Sequence, residues 1–308
     1  MTIGISTAYF IDHSKSWDIL LKNAKKFDFD NFELSVETPA AWLPVIKKSV
    51  MDGKARVLSI HNYCPKLENL PKERNIFNGY LLTSEDKEER KNAIDFTKKT
   101  IGVASELWAS TVIIHVGEVT LDLSGRSFVR YLEDFGVNSR FYQAHLEELR
   151  KTRATSAERY LLTAITSLKE IVTYAEDKNV NIGLENRFFY HEIPLLDEFG
   201  VIFSEVNSKN IGFWYDVGHG EIFVRMGFMT SHKQLLETYK DKILGFHLHD
   251  VRGLKDHWAP GEGELDYSQF EEYFSPGTLK IIESHPHSSS NALKKSPLLF
   301  NVKDRIKD

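Results

Sequence analysis

The stretch Ala157–Glu185, AERYLLTAITSLKEIVTYAEDKNVNIGLE, decides the fold class. Leu161, Ala164, Ile165, Leu168, Ile171, Val172 and Ala175 recur at helical spacing and share one face, which predicts a helix from Ala157 to Lys178. Thr155-x-x-Glu158 has the form of a capping box at its start. From Val180 to Glu185 the pattern becomes a short apolar run ending on a carboxylate, the signature of a buried strand. A helix followed at once by such a strand is the repeating unit of a parallel sheet.

The unit recurs on both sides. Strand-type runs lie at Ile3–Thr7, Asn31–Val36, Arg56–His61, Thr111–Val116, Val180–Glu185, Ile211–Asp216, Ile243–His249 and Lys280–Glu283, with helical patterns between them. One further helix is expected to begin at Pro39, since proline suits a first helical turn, and to bury Trp42, Val45 and Ile46. Alternation of this kind gives a parallel sheet, either closed or open and doubly wound. No Gly-x-Gly-x-x-Gly follows the first strand, which argues against the open dinucleotide-binding form. The expected architecture is an α/β fold, a (β/α)8 TIM barrel in one domain over residues 1–285, with a C-terminal tail over 286–308. At 308 residues the chain exceeds the roughly 250 of a typical barrel, leaving room for an insertion. That insertion falls at about 118–156, after strand four. It contains amphipathic pieces and arginines from Arg126 to Arg153. A lid gripping an anionic substrate, the contact surface of a homo-oligomer and a solvated helix all fit it. The tail turns polar after Pro286 and reads as weakly ordered.

Composition narrows the setting. Hydrophobic residues make up 42% of the chain, enough for a large core and too many for a disordered one. A net charge of −5 argues against a general nucleic-acid binder. One cysteine, Cys64, permits no internal disulfide and reads as a small apolar filler. The beginning MTIGISTAYFID has no secretory pattern and no apolar run approaches a membrane span, so a soluble cytoplasmic protein is expected.

The predicted strands end on metal-ligand residue types: Glu33, His61, His115, Glu185, Asp216, His247, His249 and Glu283, with His219 and His257 in the adjoining loops. A lone histidine at a strand end is more often a satisfied core residue. Several carboxylates converging on one barrel mouth would repel one another, and a bound dication removes that penalty. Glu185, Asp216, His247 and Glu283 close four successive strands and form the strongest subset.

The segments IGLENRF, WYDVGHG, FHLHDVRG, HWAPGEGELDY and KIIESHP, in this order and spacing, resemble the xylose isomerase-like barrel superfamily. That superfamily unites sugar isomerases and epimerases with barrel-type AP endonucleases. On its epimerase side the resemblance implies that Glu185, Asp216, His247 and Glu283 hold a divalent ion, Mn²⁺ first, with Zn²⁺, Co²⁺ or Mg²⁺ as alternatives. Glu185 and Glu283 would then serve as the acid/base pair on a small sugar, sugar acid or polyol derivative, through a metal-stabilised enediolate. His219 and Arg252 would orient substrate hydroxyls, and Trp258 could stack on a sugar face. Packing at a helix start, on the surface and under a loop are the plainer roles of these three. On its endonuclease side the resemblance implies a zinc-dependent phosphodiesterase. It would recruit His61, His115, His219 and His257 as further ligands or substrate contacts; His249, at the end of strand seven, is a candidate additional ligand or substrate contact from its position alone. That pattern has Asp-x-His before the glycine loop, whereas Lys255 stands two before His257 here.

Overall fold

The computed structural model describes residues 3–72, 74–121 and 125–300. The barrel strands are β1 (Ile3–Ser6), β2 (Asn31–Leu34), β3 (Arg56–His61), β4 (Thr111–Ile114), β6 (Asn181–Glu185), β8 (Ile211–Asp216), β9 (Ile243–Leu248) and β12 (Leu279–Ile282). Two short antiparallel pairs stand outside it, β5 (Gly117–Glu118) with β7 (Glu192–Ile193), and β10 (Asp250–Arg252) with β11 (Lys255–Trp258). Around the closed barrel the order is β1-β12-β9-β8-β6-β4-β3-β2. Every neighbouring pair is parallel, so all eight C-terminal strand ends open on one face. The (β/α)8 expectation holds.

Helices α1 (Ala8–Ile11), α2 (Trp17–Lys25), α3 (Leu43–Met51), α4 (Lys87–Glu106), α5 (Gly125–Phe135), α6 (Arg140–Ala154), α7 (Ala157–Asp177), α8 (Leu196–Val206), α9 (Val217–Arg225) and α10 (Lys233–Tyr239) connect successive barrel strands, and α11 (Ser290–Lys295) follows β12. Between β9 and β12 a 3-10 helix, Tyr267–Tyr273, takes the helical place. Gly253, Pro260, Gly261 and Gly263 break up that stretch, and glycine and proline oppose a continuous α-helix.

Two apolar layers hold the fold. The outer one packs strands against helices, and includes Ala164, Ile165, Leu168, Ile171, Val172 and Ala175 from α7. The inner one fills the barrel with Leu58, Ile113, Trp214 and Ile281. A Cβ on Gly245 would collide with the Trp214 ring, and one on Gly183 would sit 3.3 Å from it. Glycine there lets the indole lie across the barrel, with its ring edge-on to His247 at a centroid distance of 5.2 Å. Trp214 is thus the floor of the site. Cys64 is buried in the outer layer, where burial pushes its thiol up to about 12, in keeping with an apolar filler.

Several local expectations are corrected. The capping box at Thr155 is absent. Its hydroxyl donates to the Thr152 carbonyl at 2.7 Å and closes α6, while Ser156 caps α7 without a side-chain bond. The helix expected at Pro39 begins as a 3-10 turn over Ala40–Trp42 and becomes α3 at Leu43, with Pro44 in the first turn. It buries Ile46, half-buries Trp42 and leaves Val45 exposed. The tail is folded as far as Phe300. Ser289 caps α11, Leu293 is buried, and the Phe300 ring meets Tyr267 at 5.1 Å; residues 301–308 lie outside the described part.

In the insertion, residues 122–124 and the Arg126 side chain lie outside the described part. The rest folds as α5 and α6 and docks on its own barrel. The Tyr142 hydroxyl donates to the Met226 carbonyl at 2.8 Å, Arg150 donates to the Gly227 carbonyl at 2.8 Å, and buried Arg153 makes two bonds to Glu198 at 2.7 and 2.9 Å. These arginines serve the scaffold. Among the described residues, no helix is long and apolar enough to cross a membrane.

Candidate metal centre

His247 organises the site. It is fully buried at the C-terminal end of β9. Its Nε2 lies 3.1 Å from both carboxylate oxygens of Glu33, which in turn accept a 2.8 Å bond from the Ser59 hydroxyl. A carboxylate can only accept, so Nε2 carries the hydrogen. Nδ1 then presents its lone pair to three carboxylates: Glu283 at 3.0 Å, Glu185 at 3.3 Å and Asp216 at 3.7 Å. A lone pair facing three anions is untenable without a cation between them. Burial lowers the His247 pKa, but Glu283, Glu33 and Glu185 outweigh it and hold it well above the ordinary imidazole range. A proton meets the demand once; a divalent ion meets it twice over.

The four groups fit such an ion. Ligand atoms of Glu185, Asp216, His247 and Glu283 all lie within 4.8 Å of one another. Three carboxylates and one imidazole suit a hard or borderline dication. Glu33 has the role of an outer carboxylate that orients a ligating histidine. Replacing it, Glu33→Gln, is expected to weaken divalent-ion affinity about 10–100-fold. Competition against a chelating dye measures this, and an unchanged affinity would remove Glu33 from that role.

Local structure fixes Asp216 from two sides. Its Oδ1 accepts the His219 backbone N–H at 2.7 Å, capping α9, where the helix N-terminus favours an anion. Both oxygens lie 2.9 Å from His249 Nε2. His249 Nδ1 accepts the His257 backbone N–H at 3.0 Å, so Nε2 is the donor and neither ring nitrogen is free. His249, one of the residues expected to ligate or bind substrate, braces Asp216 in this arrangement. Asn186 latches β6 to β8: its amide oxygen accepts the Asp216 N–H at 2.7 Å and its amide nitrogen donates to the Asp216 carbonyl at 2.9 Å.

Two further donor groups share this cluster: His61, His115 and Glu185, and Asp216, His219, His249 and His257. His219 Nδ1 donates to the Asn186 carbonyl at 3.0 Å, leaving Nε2 facing Asp256 Oδ2 at 3.7 Å. Asp256 Oδ1 is 3.1 Å from His257 Nδ1. The carboxylate missing at Lys255 is therefore supplied one residue later, because β11 turns Asp256 inward and leaves Lys255 exposed.

These side chains line a cavity of about 280 Å³ at the barrel mouth, with Ser35, Glu37, Phe77, Arg187 and His285 around them. The sequence reading missed Arg187, although it follows Glu185 by two residues in the quoted ENR run. Burial and the Arg187 guanidinium push His115 down to about 4, which keeps it neutral. Arg252 and Trp258 do not line the cavity. Arg252 stacks over the Trp258 ring at 3.9 Å, with its Nε donating to the Glu262 carbonyl at 2.6 Å, and Trp258 packs edge-on against His287 at 4.5 Å. The β10–β11 turn leaves Arg252 exposed and Trp258 half-buried beside it.

The fold and this donor set define a TIM barrel with a buried carboxylate–histidine cluster at its strand ends. Residues 21–277 match the family model for the xylose isomerase-like TIM barrel, and the chain belongs to that family. An uncharacterized protein of Methanocaldococcus jannaschii is 23% identical over 97% of this chain and 88% of its own length. An uncharacterized protein of Sinorhizobium fredii is 24% identical over 58% of this chain, which spans about half (47%) of that relative. Among solved structures, a D-tagatose 3-epimerase-like protein has TM-score 0.67 at 18% identity over 99% of this chain and 100% of its own. The IolI protein with a binding zinc atom has TM-score 0.65 at 15% identity, over 97% and 96%. The 3-keto-D-glucoside 4-epimerase of E. coli has TM-score 0.66 at 14% identity, over 97% and 98%.

Proposed function

We propose that this chain is a divalent-metal-dependent isomerase or epimerase of a small carbohydrate, sugar acid or polyol derivative. Glu185, Asp216, His247 and Glu283 hold the ion. The observation that carries this reading is the His247 Nδ1 lone pair, aimed at three buried carboxylates of which two, Glu185 and Glu283, line a cavity of about 280 Å³. Such a volume suits a small ligand better than a polymer. The sugar epimerases among the structural neighbours and the zinc bound by IolI point the same way.

The ion, when bound, stabilises negative charge developing on vicinal substrate oxygens. The chain supplies the rest. Glu185 and Glu283 both face the cavity, one to take a proton from the carbon beside a carbonyl and the other to return it. His219 and His61 line the same space, where Nε2 of each, 3.7 Å from Asp256 Oδ2 and 3.3 Å from Glu185 Oε2, would orient hydroxyls. Mn²⁺ is the first choice of ion; Zn²⁺, Co²⁺ and Mg²⁺ suit the same donors less specifically.

The second reading, a zinc-dependent phosphodiesterase, is favoured by the two additional donor groups and by Asp256 beside His219 and His257. One assay separates the two. A panel of ketoses and hydroxy-ketones is incubated with the metal-loaded protein in D₂O, alongside an abasic-site duplex. Deuterium uptake at the carbon next to the carbonyl is expected. An inert panel with a cleaved duplex would overturn the isomerase reading.

A further inference from the structure

We propose that Arg187 occupies the place of a second cation, keeping His61 and His115 free of metal and confining the ion on this side of the cluster to the site of Glu185, Asp216, His247 and Glu283. The proposal deepens the metal-centre reading above and rests on it. It identifies a residue that separates one-ion chemistry from two-ion chemistry on the same barrel.

Arg187 is rigidly aimed. Its Nε and one terminal nitrogen donate to Glu192 Oε1 at 2.9 and 2.8 Å, and Glu192 is itself buried and held by the Phe189 N–H at 2.7 Å. The antiparallel pairing of β5 with β7 fixes Glu192 in turn, setting it opposite Glu118. This clamp leaves the other terminal nitrogen, NH1, pointing into the cluster. It lies 2.5 Å from His115 Nε2 and 3.9 Å from Glu185 Oε2.

Hydrogen-bond direction then decides what His115 can do. Its Nδ1 lies 3.0 Å from the Phe77 carbonyl, and a carbonyl only accepts, so Nδ1 carries the hydrogen. Nε2 keeps one lone pair and stands 2.8 Å from Glu185 Oε2, so two electron-rich atoms face each other and need a cation beside them. A guanidinium N–H only donates, and Arg187 takes that lone pair. A metal ion in the group of His61, His115 and Glu185 would need the same lone pair and would sit against a fixed positive charge. Glu185 is shared accordingly: Oε1 turns to His247 and the four-ligand group, while Oε2 turns to His61, His115 and Arg187. Arg187 gives Oε2 the positive neighbour that a second ion would otherwise give it.

Metal stoichiometry tests this without reference to turnover. The full chain is stripped with chelator and dialysed to equilibrium against Mn²⁺ or Zn²⁺, and bound metal is counted by elemental analysis. Wild type and His115→Ala are expected to bind equal numbers of ions. Arg187→Met is expected to bind one more per chain, and Arg187→Met/His115→Ala to return to the wild-type count. With Mn²⁺, the extra ion should show as a spin-coupled pair bridged by Glu185. Should Arg187→Met unfold by leaving Glu192 unpaired, Arg187→Met/Glu192→Gln removes both charges and carries the same expectation. Loss of an ion from wild type on His115→Ala overturns the proposal, as does an unchanged count in the folded Arg187 variants. An inert ketose panel with the expected counts would sink only the isomerase reading. An active panel with an ion lost on His115→Ala would sink only the role given to Arg187.

Discussion

Glu283→Gln is expected to lower turnover of the responsive ketose by about 10²–10⁴-fold, the usual loss on removing a general acid or base. Ion content should fall far less. The amide keeps an oxygen donor at the same place, 3.0 Å from His247 Nδ1 in the native side chain, but it cannot carry a proton from the substrate. Glu185→Gln should behave alike, with a larger loss of ion binding. Its carboxylate faces His61 and His115 as well as His247, and the His115 and His247 imidazoles hold it well below the usual carboxylate range against the effect of burial. The measurement is kcat at saturating metal together with ion content of the same samples. A variant that keeps full turnover with an amide at either position would remove that glutamate from the chemistry.

Stripping the ion should abolish turnover and destabilise the fold. An ion held at 100 times its dissociation constant adds about 2.7 kcal/mol. The chelated chain should therefore melt several degrees lower, and Mn²⁺ should restore both activity and melting temperature. The effect has a definite pH sign. In the metal-free chain the raised His247 pKa stabilises the fold below its unfolded value of about 6.5, and that contribution is lost as pH rises through the higher folded value. The ion must displace this proton, so its affinity and its stabilising effect grow with pH over the same range. Thermal melts with and without chelator between about pH 6 and pH 8.5 measure it. A gap that narrows as pH rises would contradict the assignment of Nδ1 as a ligand.

Much of the barrel was legible because its signals are local. Side-chain period separates the α7 pattern from the run that ends at Glu185, and each barrel strand lies within its expected run except β12, which starts one residue earlier, at Leu279. The donors were legible for the same reason. In an all-parallel barrel the last residue of every strand reaches one face, so Glu185, Asp216, His247 and Glu283 are grouped once the strands are known. Glu33 was visible as a strand-end carboxylate; its place behind His247 was not.

Local signals failed where composition and conformation part company. The polar run after Pro286 suggested weak order, yet Leu293 and Phe300 find partners on distant segments that no window of sequence contains. Thr155 and Glu158 have the spacing of a capping box, but α6 ends where the cap would form and claims the threonine.

The amino-acid sequence by itself determined the parallel barrel, the face that carries the site and the four residues best placed to hold an ion, because periodicity and strand polarity are properties of the chain. Only the tertiary structure decided which nitrogen of each histidine is free, that His249 braces Asp216, that Asp256 stands in for the carboxylate missing at Lys255, and that Arg187 meets His115 across the barrel mouth. Those outcomes depend on the direction of hydrogen bonds between residues up to 214 positions apart, and direction exists only once the strands are closed around a common axis.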